Sequence, residues 1–305
     1  MLDSDFNLID DDVIDVELDL TGFCNAKCPL CANNYVNNHH LTVKNQRSIE
    51  EITDGLKKYK NLKYVRLVGT VSEPTLYYDF LNLCQYFVDM GVIIEICTNG
   101  DTHNEEWWYD LGCILTPKDM VYFTICGSTQ ELHETYRKGT NLSNILKNAR
   151  SFRKAGGHND YFQHILFDYN YDDLHSDEMN GIMSEFSNIN LTKTYYTRDI
   201  EIYRDKSGIS KLAPYDSKKY NEILKLAEYK YKTKSNVKID CMSINDQLVH
   251  INQFGEVYPC YLFLEEVGGE WDQNYKDILK LKYKCCSLCE HTILELTKKN
   301  NCEIR

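Results

Sequence analysis

The chain runs to 305 residues, 43% apolar and 26% charged, which suits one barrel-sized domain with a small appendage or two ordinary domains. Its formal net charge of -12 makes it a poor candidate for gripping duplex nucleic acid through phosphates. The first residues form no basic n-region or apolar h-region and no apolar run approaches a membrane span, so a cytoplasmic chain without membrane or nucleic-acid partners is expected.

Residues 1–12 are acidic and polar and read as a solvated leader, too short for a peptide-recognition domain. Residues 13–20 set Val13, Ile14, Val16, Leu18 and Leu20 among acids and read as a first strand, ended by Thr21-Gly22-Phe23. Ser48, with Glu51 three residues on, is a capping box that starts a helix over 48–59. Residues 63–69 give a second strand, 77–90 a helix stopped by Gly91, 92–98 a third strand and 104–115 a helix. A fourth strand over 120–126, a helix over 141–155, a fifth strand over 161–169, a helix over 176–186 and a sixth strand over 189–196 follow. Six strand–helix repeats predict an α/β fold, a parallel sheet curled into a partial (β/α)6 TIM-like barrel. In such barrels chemistry gathers at the C-terminal ends of the strands. Residues 207–214 read as a linker and 216–232 as an amphipathic helix, which puts a boundary near residue 210 between a barrel over 1–210 and a second domain over 211–305.

Thirteen cysteines, an odd number, argue against a full disulfide framework, and their short spacings near both ends are those of metal ligands. Cys24, Cys28 and Cys31 form a C-x3-C-x2-C run just after the first strand. A [4Fe–4S] cluster takes four thiolates, so three leave one iron open to a small molecule. The other reading is a zinc site completed by His39 or His40. Cys84, Cys97 and Cys113 fall in predicted helices or strands, where a lone cysteine behaves as a small buried apolar residue.

With Leu30 in the apolar slot before the third cysteine, the run resembles that of the radical S-adenosylmethionine (SAM) enzymes. The resemblance implies a SAM-binding [4Fe–4S] cluster, with SAM chelating the open iron through its amino and carboxylate groups. It also implies an electron donor such as flavodoxin or ferredoxin. Gly69-Thr70-Val71-Ser72-Glu73-Pro74 resembles the family's Gly-Gly-Glu-Pro loop, with Ser72 in place of a glycine. That likeness assigns Gly69, Ser72 and Glu73 to the SAM ammonium; taken alone the segment is a capped turn. Thr98-Asn99-Gly100 resembles a family stretch near the methionine and ribose of SAM, and is otherwise a turn. Thr124-Ile125-Cys126-Gly127-Ser128, followed by His133 and Tyr136-Arg137, resembles the family's Ser-Ile-Asp-Gly stretch with its His and Tyr-Arg. It implies Thr124 at the ribose and Arg137 on the SAM carboxylate as a planar fork. Cys126 replaces the family's acid, either as a packed strand-end thiol or as a hydrogen-atom donor to a substrate radical. Asn170, at the end of the fifth strand, is a further candidate for SAM contact.

Cys241, Cys260, Cys286 and Cys289 form a second group. Between Cys241 and Cys260 lies a hairpin, with a strand over 248–252, a turn at Gln253-Phe254-Gly255 and a return strand holding Val257 and Tyr258. A helix around 272–281 precedes Cys286-x2-Cys289. This order resembles the SPASM/twitch extension of radical SAM enzymes, the shorter twitch form fitting better because 290–295 hold no cysteine. The likeness implies one auxiliary [4Fe–4S] cluster, with Cys285 and Cys302 competing as ligands; spacing alone also allows a zinc ribbon. The leading expectation is a radical SAM enzyme that cleaves SAM to a 5′-deoxyadenosyl radical and takes hydrogen from a substrate C–H bond. Oxidation of a small molecule, with the auxiliary cluster as electron acceptor, comes first. A peptide- or protein-modifying maturase and a non-enzymatic zinc-stabilised binding protein are the alternatives.

Overall fold

A computed structural model describes residues 13–29, 31, 46–69, 72–157, 159–193, 247–255 and 257–258. Strand β1 (Asp15–Leu18) is followed by α1 (Ile49–Leu56), β2 (Tyr64–Leu67), α2 (Phe80–Asp89), β3 (Ile93–Thr98), α3 (Glu105–Ile114) and β4 (Met120–Thr124). Then come α4 (Gln130–Tyr136), α5 (Leu142–Lys154), β5 (Asp160–Leu166), α6 (Asp177–Met183), β6 (Asn188–Lys193), β7 (Leu248–Ile251) and β8 (Val257–Tyr258). Side-chain caps fix the helix starts. At α1 the Ser48 hydroxyl accepts from Glu51 N–H while the Glu51 carboxylate accepts from Ser48 N–H, the expected box. At α3, α5 and α6 the side-chain oxygens of Asn104, Asn141 and Ser176 accept from the N–H groups of Trp107, Asn144 and Met179. The short helix α4, capped by Thr129, is an addition to the expected elements.

The sheet has the order β6-β5-β4-β3-β2-β1-β7-β8, and every described pairing is parallel except β7 with β8. It is an open partial barrel whose six expected strands are all in place. The hairpin at its end is also found. It extends the barrel sheet, pairing Asp15 through Leu18 with Leu248 through Ile251. The linker at 207–214 and the helices at 216–232 and 272–281 lie outside the described residues. Among the described residues no helix is long and apolar enough to cross a membrane.

One side of the sheet packs on the helices. Val16, Leu18, Val65, Leu67, Ile94, Ile96, Val121 and Phe123 are fully buried there, with Trp108 and Phe87 from the helices. Each such side chain contributes roughly 1.5–3 kcal/mol of hydrophobic stabilisation. The alternate residues face the concave side and are largely polar: Asp15, Glu17, Arg66, Glu95 and His250. Arg66 pairs with Asp15 at 2.6 Å. The fully buried His250 lies between Glu17 and Asp19, each of its ring nitrogens 3.2 Å from a carboxylate oxygen. Burial alone lowers its affinity for a proton, but Asp19 and then Glu17 override that and raise its pKa to about 9. Cys84 is buried as expected; Cys113 is exposed, against expectation, because α3 turns it away from the sheet.

Candidate functional site

The loop after β1 carries the cysteine run. Cys28 is buried, and Cys24 and Cys31 are half-buried. Cys31 N–H donates to Cys28 O at 3.0 Å, closing a tight turn at Pro29. Leu30 lies outside the described residues. Three other loops hold this one in place. From the β2 loop, Glu73 N–H donates to Phe23 O at 2.9 Å. From the β3 loop, Asn99 Nδ2 donates to Asn25 Oδ1 at 2.8 Å, and Asn25 Nδ2 donates to Asp101 O at 2.9 Å. From the turn after α4, Lys138 O accepts from Lys27 N–H at 2.8 Å.

The sulfurs pack with Ala26, Cys126, Tyr136 and Phe167. Among the described residues no three metal-ligating side chains converge on one point, as the ligands of a single ion do. A cubane cluster instead gives each thiolate its own iron. Burial, then the neighbouring Glu73 carboxyl, pushes the Cys24 thiol up to about 12, so its proton leaves when metal binds.

Glu73 is buried, 2% exposed, and its carboxylate is heavily engaged. Oε1 accepts from Thr98 Oγ1 at 2.6 Å and Thr75 Oγ1 at 2.7 Å, and Oε2 accepts from Asn99 N–H at 2.8 Å. Burial pushes this carboxyl up against the pull of those hydrogen bonds. Glu73, Thr98 and Asn99 thus meet and bind one another. Gly69 has φ +58°, and a Cβ there would stand 2.6 Å from Ser72 O, so only glycine fits this turn. The Ser72 hydroxyl is buried and has no hydrogen-bond partner among the described residues.

Arg137, just past α4, reaches the cysteines. Its Nη1 lies 3.7 Å from Cys28 Sγ, and the Cys126 thiol is a second sulfur near the guanidinium. Its Nε is buried and has no partner among the described residues. Burial works against this cation, but the two sulfurs hold it firmly protonated. Among the described residues no carboxylate bonds it. A buried guanidinium flanked by sulfur suits an anionic cluster and an incoming carboxylate, and the soft thiol donors suit iron–sulfur chemistry. The residues present therefore fit a cluster held by three cysteines, with a cation beside it for a bound carboxylate.

Thr124 and Asn170 are engaged within the protein. Thr124 Oγ1 donates to Gln163 Oε1 at 2.9 Å. Asn170 is fully buried, and Nδ2 donates to Ile165 O at 2.9 Å and to Cys126 O at 3.2 Å. Cys126 is fully buried; burial pushes its thiol up, while Arg137 and the Ile165 main-chain N–H pull it down. His133 is also buried. Its Nδ1 accepts from Cys126 N–H at 3.2 Å, which leaves Nε2 to donate to Thr140 Oγ1 at 2.9 Å. Burial, then Arg137, lowers its pKa to about 3, so it stays neutral. Sequence reasoning missed Asn25, whose position inside the C-x3-C loop was the available signal. Cys241, Cys260, Cys286 and Cys289, with Cys285 and Cys302, lie outside the described residues.

Comparison with curated proteins gave no match. Among solved structures the chain is similar to SuiB of Streptococcus suis bound to the precursor peptide SuiA, at 14% identity and a TM-score of 0.56, covering 86% of this chain and 62% of that one. SuiB bound to S-adenosylmethionine gives 15% identity and a TM-score of 0.55, covering 89% of this chain and 65% of that one. Native anSMEcpe with bound AdoMet and the Cp18Cys peptide gives 15% identity and a TM-score of 0.53, covering 88% and 80%. The chain thus spans less than two thirds of SuiB. These likenesses bear on the fold alone. The model of the Radical SAM superfamily matches residues 18–177, from the end of β1 through the cysteine loop to the start of α6, and the chain belongs to that superfamily.

Proposed function

We propose that Cys24, Cys28 and Cys31 hold a [4Fe–4S] cluster whose open iron binds SAM, and that the enzyme abstracts hydrogen from a substrate C–H bond at the C-terminal end of the barrel strands. Membership of the superfamily brings both cofactors. When bound, the reduced cluster supplies the electron that splits SAM into methionine and a 5′-deoxyadenosyl radical. The chain's own residues supply binding and orientation.

One observation carries this reading. Two buried polar atoms without partners among the described residues, Ser72 Oγ and Arg137 Nε, belong to the two segments that flank the cysteine loop. A hydroxyl that accepts and a guanidinium that donates match the ammonium and carboxylate of one amino acid. SAM carries both. In this reading Gly69 and Ser72 receive the ammonium, while Glu73 locks the β2 and β3 loops around it. Thr98, Asn99, Thr124 and Asn170 shape the floor of the site.

For the substrate we favour a peptide, since SuiB and anSMEcpe were each crystallised with one. Oxidation of a small molecule is the second reading, carried by the second cysteine group: four thiolates from Cys241, Cys260, Cys286 and Cys289 would complete an auxiliary [4Fe–4S] cluster suited to accept an electron. The test is anaerobic incubation of reconstituted protein with SAM and a strong reductant. Release of 5′-deoxyadenosine is expected, and its loss in Arg137→Gln at unchanged iron content. No release from fully iron-loaded protein overturns the reading.

A further inference from the structure

A pocket of about 260 Å³ opens between α1 and the end of the sheet where β1 meets β7 and β8. Pockets that hold drug-sized ligands run to about 300–1,000 Å³, so this one suits a ligand of a few carbons. Leu18, Ile52, Leu56, Ile251 and Val257 give it apolar walls. Three charged side chains also line it, and two are engaged elsewhere. Asp54 pairs with Lys57 at 2.6 Å, and the Lys58 ammonium lies over the Tyr59 ring, 4.7 Å from its centroid. The third, Arg47, is half-buried, and among the described residues it has no ion pair. Its Nη2 donates to Asn252 O at 3.2 Å, its one side-chain hydrogen bond among those residues. Burial works against this cation, and Glu51 and Tyr77 offset only part of that. Glu51 keeps its Oε2 on Ser48 N–H. Two glycines leave the space open. A Cβ on Gly255 would stand 3.1 Å from Arg47 Nη1. Gly55 sits inside α1, where glycine costs stability relative to alanine. Nothing among the described residues lies within 4 Å of a Cβ there, so crowding does not require that glycine. An occupant of the pocket would.

We propose that this pocket binds a short aliphatic carboxylate, its head on Arg47 and its alkyl chain between α1 and β7. A guanidinium presents paired donors in the plane that a carboxylate accepts. The apolar walls take the chain out of water. One unpaired cation suits one negative charge, so a phosphate ester with two charges fits less well. None of the lining residues belongs to the cysteine loop, so the site stands apart from the cluster reading.

The test uses the full chain, anaerobically reconstituted, as wild type, Arg47→Gln and Gly55→Leu, with sodium hexanoate and 1-hexanol as probes. Calorimetric titration at millimolar probe should show hexanoate binding to wild type at a single site. The alcohol should bind about tenfold more weakly or worse, because it brings no charge to Arg47. Arg47→Gln should weaken hexanoate by about tenfold or more for the same reason. Gly55→Leu sends a side chain into the pocket with nothing in its way, so it should abolish binding while the melting temperature holds. It carries the comparison if Arg47→Gln, which loses the bond to Asn252 O, folds poorly. No hexanoate binding to wild type overturns the proposal. So does 1-hexanol binding as tightly as hexanoate, or hexanoate binding unchanged in Gly55→Leu. Iron content should be equal in all three proteins, so this result and that of the cluster reading are separable.

Discussion

Substituting glutamine for His250 removes a proton-binding site that exists only in the folded chain. Its pKa is about 9 in the fold against 6.5 for an ordinary histidine. The folded state therefore binds the proton more tightly. The stability this confers is fully present below about pH 6.5 and is lost as pH rises through about 9. At 1.36 kcal/mol per pH unit the swing is roughly 3 kcal/mol. For a chain of this size that corresponds to about 6 °C in melting temperature. The facing groups are Glu17 and Asp19, with the Asp15–Arg66 pair and Glu95 beyond them on the same face of the sheet. The assay is a series of anaerobic melts of iron-loaded protein from pH 6 to 9.5. Wild type should fall by about 6 °C more than His250→Gln across that range, with the two curves drawing together near pH 9.5. Parallel curves would show that His250 is not held as a cation between those carboxylates.

Replacing Cys24, Cys28 and Cys31 together should lower iron from about eight to about four per chain, read by anaerobic iron and sulfide quantitation; an unchanged count would place the iron elsewhere. Asn25→Ala removes the side chain that ties the cysteine loop to Asn99 and Asp101, so iron should pass to a chelator several-fold faster while the melting temperature moves by no more than about 2 °C. Equal rates would mean the loop is held by its other anchors alone. Gly112→Ala drives a Cβ against Phe152 O and the Ala155 side chain, where α3 meets α5. A loss of about 1–3 kcal/mol in chemical denaturation is expected, and a neutral result would mean that these helices can move apart freely.

The elements were legible wherever a local signal existed. Ser48 with Glu51, and Asn104, Asn141 and Ser176 ahead of their helices, are caps that need only neighbouring residues to act. Strand-end position in a parallel barrel put Glu73, Thr98 and Asn99 at one face, but gave no sign of the hydrogen bonds that join them. Helix α4 was not legible, because seven mostly polar residues give no lasting period. Nor was the placement of β7, since pairing across so long a stretch of chain leaves no trace in local composition. The acids of β1 carried an ambiguity of their own. Alternation marks a strand with two unlike faces, but not whether the polar face meets water. Here both faces are covered, and Asp15, Glu17 and Asp19 are buried and matched to Arg66 and His250.

The late arrival of β7 has a consequence for how the protein is made. Glu17 and His250 are 233 positions apart, yet they share a rung of one ladder. On the ribosome β1 and β2 emerge early and can pair. The other edge of β1 then stays bare for on the order of ten seconds or more, while the intervening chain is synthesised. A bare edge is a template for a strand from another molecule, and parallel closure over such a span is slow. A transcript cut short before Leu248 would yield a barrel that carries its cofactor motif but leaves that edge permanently open to aggregation.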